Sequence, residues 1–144
     1  NNTEIRKNFL MFLLADQFIR IYDFKSSTFK DITLKINFEF FDLLNFCINN
    51  KYSLFDLEPE LFILLFHASR EKIQGTEFLA LIYKALNQNY ISSQSYALIY
   101  DEWCVHHNQS PQYAEDNTIT YFPLTSSNRE KINENRIKIG LMPK

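Results

Sequence analysis

The chain has 144 residues, a formal net charge of -2, and only 2 glycines, 4 prolines and 2 cysteines. That length supports one domain with a buried core, and the even charge balance argues against a groove for nucleic-acid phosphates. The lone glycines Gly75 and Gly140 exclude a glycine-rich phosphate loop, and two cysteines are too few for a disulfide framework.

The first segment, about Thr3 to Tyr22, places Ile5, Phe9, Phe12, Leu13 and Ala15 at amphipathic-helix spacing. Its end, Phe18 to Phe24, also carries β-branched and aromatic residues at strand spacing. Beyond a polar break at 25–28, Ile32, Leu34, Ile36, Phe38 and Phe40 alternate with polar residues in a strict period of two. That alternation predicts a strand to about Ile36 and a small β-hairpin across 19–36. A helix follows to about Asn49, with Asn37 as its cap and Ile36 and Phe41 at hydrophobic-staple positions. It buries Phe41, Leu44 and Ile48, with Phe40 and Cys47 beside them.

Asp56 is placed to cap a third helix, Glu58 to about Ser69, whose Pro59 falls in the first turn where a missing donor costs nothing. Its LFILLF centre is apolar nearly all round, which belongs in the middle of a domain. Gly75 and Thr76 open a fourth helix to about Gln88, with Phe78, Leu79, Ile82, Tyr83 and Leu86 on its wide apolar face. Ser92 caps a fifth, stapled by Ile91 and Tyr96, which buries Tyr96, Ile99 and Trp103 and ends near His107. Past Pro111 come a polar loop, a candidate strand at Thr118 to Phe122, a break at Pro123 and a charged helix from Ser126 to Ile139.

The fold class expected is mainly α: a compact bundle of five or six helices with a small β-hairpin near residues 19–36. A helical domain spans 1–124 and a charged C-terminal helix or tail 125–144. The expected core holds Phe41, Leu44, Leu61, Leu64, Leu65, Phe78, Ile82, Ile99 and Trp103.

One cluster invites chemistry. Cys104, His106 and His107 stand beside Asp101 and Glu102. On a helix, Glu102 and His106 lie one turn apart, as do Cys104 and His107. A structural zinc needs four ligands and a catalytic zinc normally three, and His67 is the only other histidine to complete a set. A thiolate nucleophile is favoured by a helix N-terminus, whereas Cys104 sits near a C-terminus where the dipole opposes it. The acidic pairs at 56–60, 101–102 and 115–116 read as helix-start charges and solvated faces. The sequence therefore nominates no catalytic, cofactor-binding or metal-binding residue. Tyr96, Tyr100, Trp103 and Tyr113 are its partner-binding candidates, because aromatic residues concentrate in interface cores; the competing reading makes Trp103 a core anchor.

The central stretch resembles the Ras exchanger motif, the N-terminal helical domain of Ras-type guanine nucleotide exchange factors. Asp56 precedes LFILLFHAS, GTEFLALIYKAL follows, and YALIYDEWCVHH closes the set. Upstream, FEFFDLLNFCINN is similar to the family's first short helix. The resemblance covers about Phe38 to His107. His67, Ala68 and Ser69 replace the family's Thr-Tyr-Arg run, and Arg70 is offset. Such a motif steadies an exchange domain and can touch a second GTPase without itself exchanging nucleotide. The resemblance thus implies a non-catalytic regulatory module, with a small GTPase or an adjoining exchange domain as protein partner and no cofactor. The alternatives are a small thiol- or metal-dependent enzyme using Cys104 with His106 and His107, or an orphan domain of a pathogen effector. No segment reads as a membrane span, no nucleic acid is implied, and the expected location is intracellular and cytoplasmic, or the host cytosol for an effector. A chain beginning at Asn1 reads as a piece of something longer.

Overall fold

A computed structural model describes residues 2–21, 27–71, 75–115 and 123–144. Among these it shows six α-helices and no strand: α1 (Asn2–Ile21), α2 (Ser27–Asn49), α3 (Glu58–Ser69), α4 (Thr76–Asn87), α5 (Ser93–His106) and α6 (Ser126–Lys138), with a 3-10 turn at Phe55–Leu57 before α3. The mainly-α bundle is as the sequence implies. The candidate strand at Thr118 to Phe122 lies outside the described residues.

The first five helices close a ring. α1 packs on α2 and α3, α2 on α4, α4 on α5, and α5 on α3. Leu61, Leu64 and Leu65 of α3 meet Ile82, Tyr96, Ile99 and Trp103 within one buried cluster, which Phe9, Phe40, Leu44 and Cys47 extend through α1 and α2. Aromatic edges lock the α1–α2 seam: Phe9 and Phe40 cross with ring centres 5.8 Å apart, Phe12 and Phe40 at 6.3 Å. T-shaped pairs of this kind add to the area they bury. Every expected core residue is buried except Phe41, which is half-buried against the cluster while Phe40 takes the interior position.

The hairpin is replaced by helix. Ile19–Ile21 belong to α1 and residues 27–36 to α2, and only 22–26 between them lie outside the described residues. Asn37 is no cap but a buried mid-helix residue, its Nδ2 without a hydrogen-bond partner among the described residues. The reason is visible in α2's buried positions, Asn37, Phe40, Leu44, Cys47 and Ile48, which recur at three and four. That period wins because a helix satisfies its own backbone, whereas a strand needs a neighbour. The alternating apolar residues are instead spread round the helix, leaving Ile32 and Phe38 exposed.

Helix ends follow local rules. Glycine is scarce, so other residues take the left-handed position that closes a helix: Lys51 after α2, Asn89 after α4 and Asn108 after α5, with Gly140 after α6. In each case the next amide reaches back five residues, Tyr52 to Cys47, Tyr90 to Ala85, Gln109 to Cys104 and Leu141 to Arg136, at 2.8–3.1 Å. This is the Schellman closure, which uses otherwise orphaned carbonyls. Ser92 caps α5 as expected, its hydroxyl accepting the Ser95 amide at 3.2 Å. Asp56 does not cap α3. Leu57 occupies that position, and Asp56 pairs with Arg6 of α1 instead.

Candidate functional site

The residues nominated by the sequence all lie on α5 or on the 110–115 loop beyond it. Glu58, at the start of α3, accepts the Ser92 amide at 2.7 Å and the Ser95 hydroxyl at 3.0 Å, which anchors the first turn of α5. Burial favours the neutral form of Glu58, but these hydrogen bonds outweigh it and hold its carboxyl below the ordinary value. The helix then presents Tyr96, Ala97, Ile99, Trp103 and Cys104 inward.

The four aromatic candidates divide into two groups. Tyr96, Tyr100 and Tyr113 form a triangle with ring centres 5.4–5.8 Å apart, joined by Tyr83 at 6.3 Å from Tyr96. Trp103 stands apart, stacked on His107 at 4.1 Å with the rings 14° from parallel. Tyr96, Trp103 and Tyr113 are buried and Tyr100 is half-buried, so these rings mainly build the interior. Tyr83 carries the tyrosine group to the surface, at the edge of a cleft of about 440 Å³ lined also by Leu86, Asn87, Lys138 and Ile139.

The titratable cluster is committed to the fold. Asp101 is fully buried and accepts three backbone amides, those of Gln112 at 2.8 Å, Tyr113 at 3.1 Å and Glu115 at 3.1 Å. Burial pushes its carboxyl above the ordinary value despite those bonds, and the nearby Glu115 charge acts in the same direction. Glu102 accepts Arg70 Nε at 2.7 Å and faces His106 Nε2 at 3.2 Å. His107 turns its Nδ1 to the Trp103 carbonyl at 2.8 Å. Cys104 is buried, and burial with the Asp101 charge pushes its thiol up to about 12. Burial likewise raises Cys47 to about 11. Both thiols are therefore protonated at neutral pH, and a protonated thiol is a poor nucleophile and metal ligand. Among the described residues, neither is hydrogen-bonded to a histidine, and no three His, Cys, Asp or Glu side chains converge as a metal site.

Two polar clusters escaped the sequence. In the first, Asp16 of α1 is buried against α3, where His67 Nδ1 approaches its Oδ2 at 2.6 Å and Arg20 donates to both oxygens at 3.1–3.2 Å. Burial alone would raise the Asp16 carboxyl, but the hydrogen bonds and charges of His67 and Arg20 together hold it below the ordinary value. An ionised carboxylate only accepts, so His67 Nδ1 carries the proton in this contact. The signal was present: Asp16 continues the buried register Ile5, Phe9, Ile19, and a carboxylate on a core face requires partners. In the second cluster Arg136 of α6, itself buried, reaches Glu115 Oε1 at 2.5 Å and the Tyr113 carbonyl at 2.7 Å. Its Nε donates to the Met142 carbonyl at 2.7 Å. Asp101 and Arg136 thus both hold the 112–115 segment, one through its backbone amides and the other through the Tyr113 carbonyl and the Glu115 carboxylate.

No family model, curated protein or solved structure matches this chain. No helix among the described residues is long and apolar enough to cross a membrane.

Proposed function

We propose that this chain is a non-catalytic helical interaction or regulatory module, of the exchanger-motif type over Phe38 to His107, whose partner is a small GTPase or an adjoining exchange domain inside the cell. One observation carries the reading. The groups that could do chemistry on α5 are spent on internal contacts, Asp101 on three backbone amides, Glu102 on Arg70 and Cys104 as a buried thiol. Large apolar side chains, meanwhile, stand exposed on the outer faces of α1, α2 and α4. A rigid scaffold with apolar residues facing out is suited to binding protein. The resemblance adds the class of partner. The alternative, a thiol or metal enzyme built on Cys104, His106 and His107, is less favoured by this geometry, since Cys104 is a buried thiol while His106 turns to Glu102 and His107 Nδ1 to the Trp103 carbonyl.

The test is calorimetric titration of the purified chain with small GTPases loaded with GDP or a non-hydrolysable GTP analogue. Saturable binding without faster nucleotide release is the expected result. Absence of binding to every GTPase tried up to roughly 100 µM, where even a weak complex of this kind registers, would overturn the GTPase assignment.

A further inference from the structure

The cleft of about 440 Å³ lies between the last turns of α4 and α6. Small-molecule sites occupy roughly 300–1,000 Å³, so this one suits a ligand of one or two rings. Its floor is apolar or already committed. Leu86 and Ile139 are half-buried, Tyr113 is buried, and half-buried Asn135 gives its side-chain amide to Gln112 at 3.2–3.3 Å. The rim carries the exposed side chains of Tyr83, Asn87 and Lys138. A mostly apolar floor with a few polar groups at its edge is how small-molecule sites are composed.

The charge lining the cleft is positive. Lys138 is the one charged residue among the described residues that line it, and none of the salt bridges among them engages it. Glu134, one turn earlier, has the spacing to pair with Lys138 but turns to Lys131 at 3.4 Å. The buried tyrosines add no negative charge. Burial raises Tyr96 and Tyr113, and the contact of their hydroxyls raises Tyr96 further while offsetting the rise at Tyr113, as a bond donated by Tyr96 does. Tyr113 therefore stays a neutral phenol at neutral pH. Two helix C-termini end at this cleft, and their dipoles alone would favour a cation. Their last carbonyls are already used, however: Ala85 accepts the Tyr90 amide, Arg136 the Leu141 amide and Ile139 the Ser93 hydroxyl. A whole ammonium charge outweighs these partial and occupied ones, so the cleft selects an anion.

The rest of the lining narrows the ligand further. Tyr83 is 52% exposed and offers its ring to a second ring in the offset or edge-on arrangement that aromatic pairs prefer. One ammonium with one side-chain amide suits a singly charged carboxylate, whereas a phosphate asks for an arginine fork or a cradle of amides. We propose that this cleft binds a small organic acid with a flat apolar body, its carboxylate on Lys138 and Asn87 and its ring against Tyr83, Leu86 and Ile139. Such a ligand touches α4 and α6 together and so holds the C-terminal helix on the bundle. The proposal goes beyond the interaction-module reading and does not rest on it, so its failure leaves the GTPase assignment untouched.

The experiment is a titration of the intact chain with 3-phenylpropanoate at fixed salt, followed by amide NMR shifts, with the neutral 3-phenylpropanamide as control. The acid has about eleven non-hydrogen atoms, which at the binding typical of drug-sized ligands gives a Kd of about 4 mM or tighter. Saturable shifts centred on Asn87, Asn135 and Gly140 are expected, with the amide binding about threefold to tenfold more weakly. Lys138→Gln should weaken the acid by the same factor and leave the amide unchanged, a split that a merely structural role for Lys138 would not produce. Tyr83→Ala should weaken both by about threefold. Shifts that fail to saturate up to about 20 mM, or that centre elsewhere, would overturn the inference. So would equal binding of acid and amide, or a Lys138→Gln chain that binds the acid as the wild type does.

Discussion

Replacing Arg136 by methionine tests whether the C-terminal helix is part of the folded unit. Methionine keeps an unbranched stem but removes a guanidinium that makes three short contacts, to Glu115 and to the carbonyls of Tyr113 and Met142 at 2.5–2.7 Å. Both ionic side chains are almost wholly buried, Arg136 at 6% and Glu115 at 3% exposure. Breaking such a pair costs about 3–5 kcal/mol, chiefly because the surviving carboxylate stays buried after its counter-charge is gone, with the Gln94 side-chain amide still donating to it. For a chain of this size each kcal/mol lowers Tm by about 2–4 °C, so a fall of roughly 10 °C is expected. Urea titration followed by Trp103 fluorescence and by far-UV circular dichroism reads the loss. Adding Glu115→Gln should restore at least about 1 kcal/mol, because it removes the stranded charge. A loss under about 1 kcal/mol for Arg136→Met, or no recovery in the double variant, would refute the argument that α6 is held by a buried ion pair.

Leu65→Ala, at a fully buried position on α3, should cost about 2–5 kcal/mol in the same titration; a much smaller loss would mean that α3 is not central. Asp16→Asn should change the acid limb of the stability curve. The native Asp16 carboxyl titrates below its ordinary value of 3.8, so its contribution is complete above that pH and is lost as the pH falls through the native value. The stability difference between wild type and variant should therefore be full at pH 6 and shrink below about pH 4. A difference that stays constant between pH 6 and pH 3 would show that the charge of Asp16 contributes nothing.

What the sequence made legible were the elements whose signals are local. α3 begins and ends where Pro59 and the LFILLF run place it, and α5 begins at its Ser92 cap. α2 was misread because Ile32, Leu34, Ile36 and Phe38 alternate perfectly, while polar Asn37 occupies the inward position that would have revealed the helical period. Asp56 has the chemistry of a cap, yet Arg6, fifty residues earlier, takes it. That Asp16 needs partners was legible from its place on the buried face of α1, but which residues supply them was not, for the same reason. Asp16 meets His67 across 51 residues and Arg136 meets Glu115 across 21, and no local pattern encodes such pairings. Tyr96, Tyr100, Trp103 and Tyr113 were singled out as partner-binding candidates, but aromatic character in the sequence does not separate a core ring from a surface ring, and three of the four are buried.

The account turns on whether the reactive groups of α5 are structural. Labelling of the native chain with a thiol reagent at neutral pH decides this most directly. Cys47 and Cys104 are both buried, with thiols raised to about 11 and about 12, so both should react slowly, at the rate at which the bundle opens, and rapidly only in urea. Fast stoichiometric labelling of Cys104 in the folded protein would reveal an accessible thiolate and contradict the reading of this chain as a scaffold without chemistry of its own.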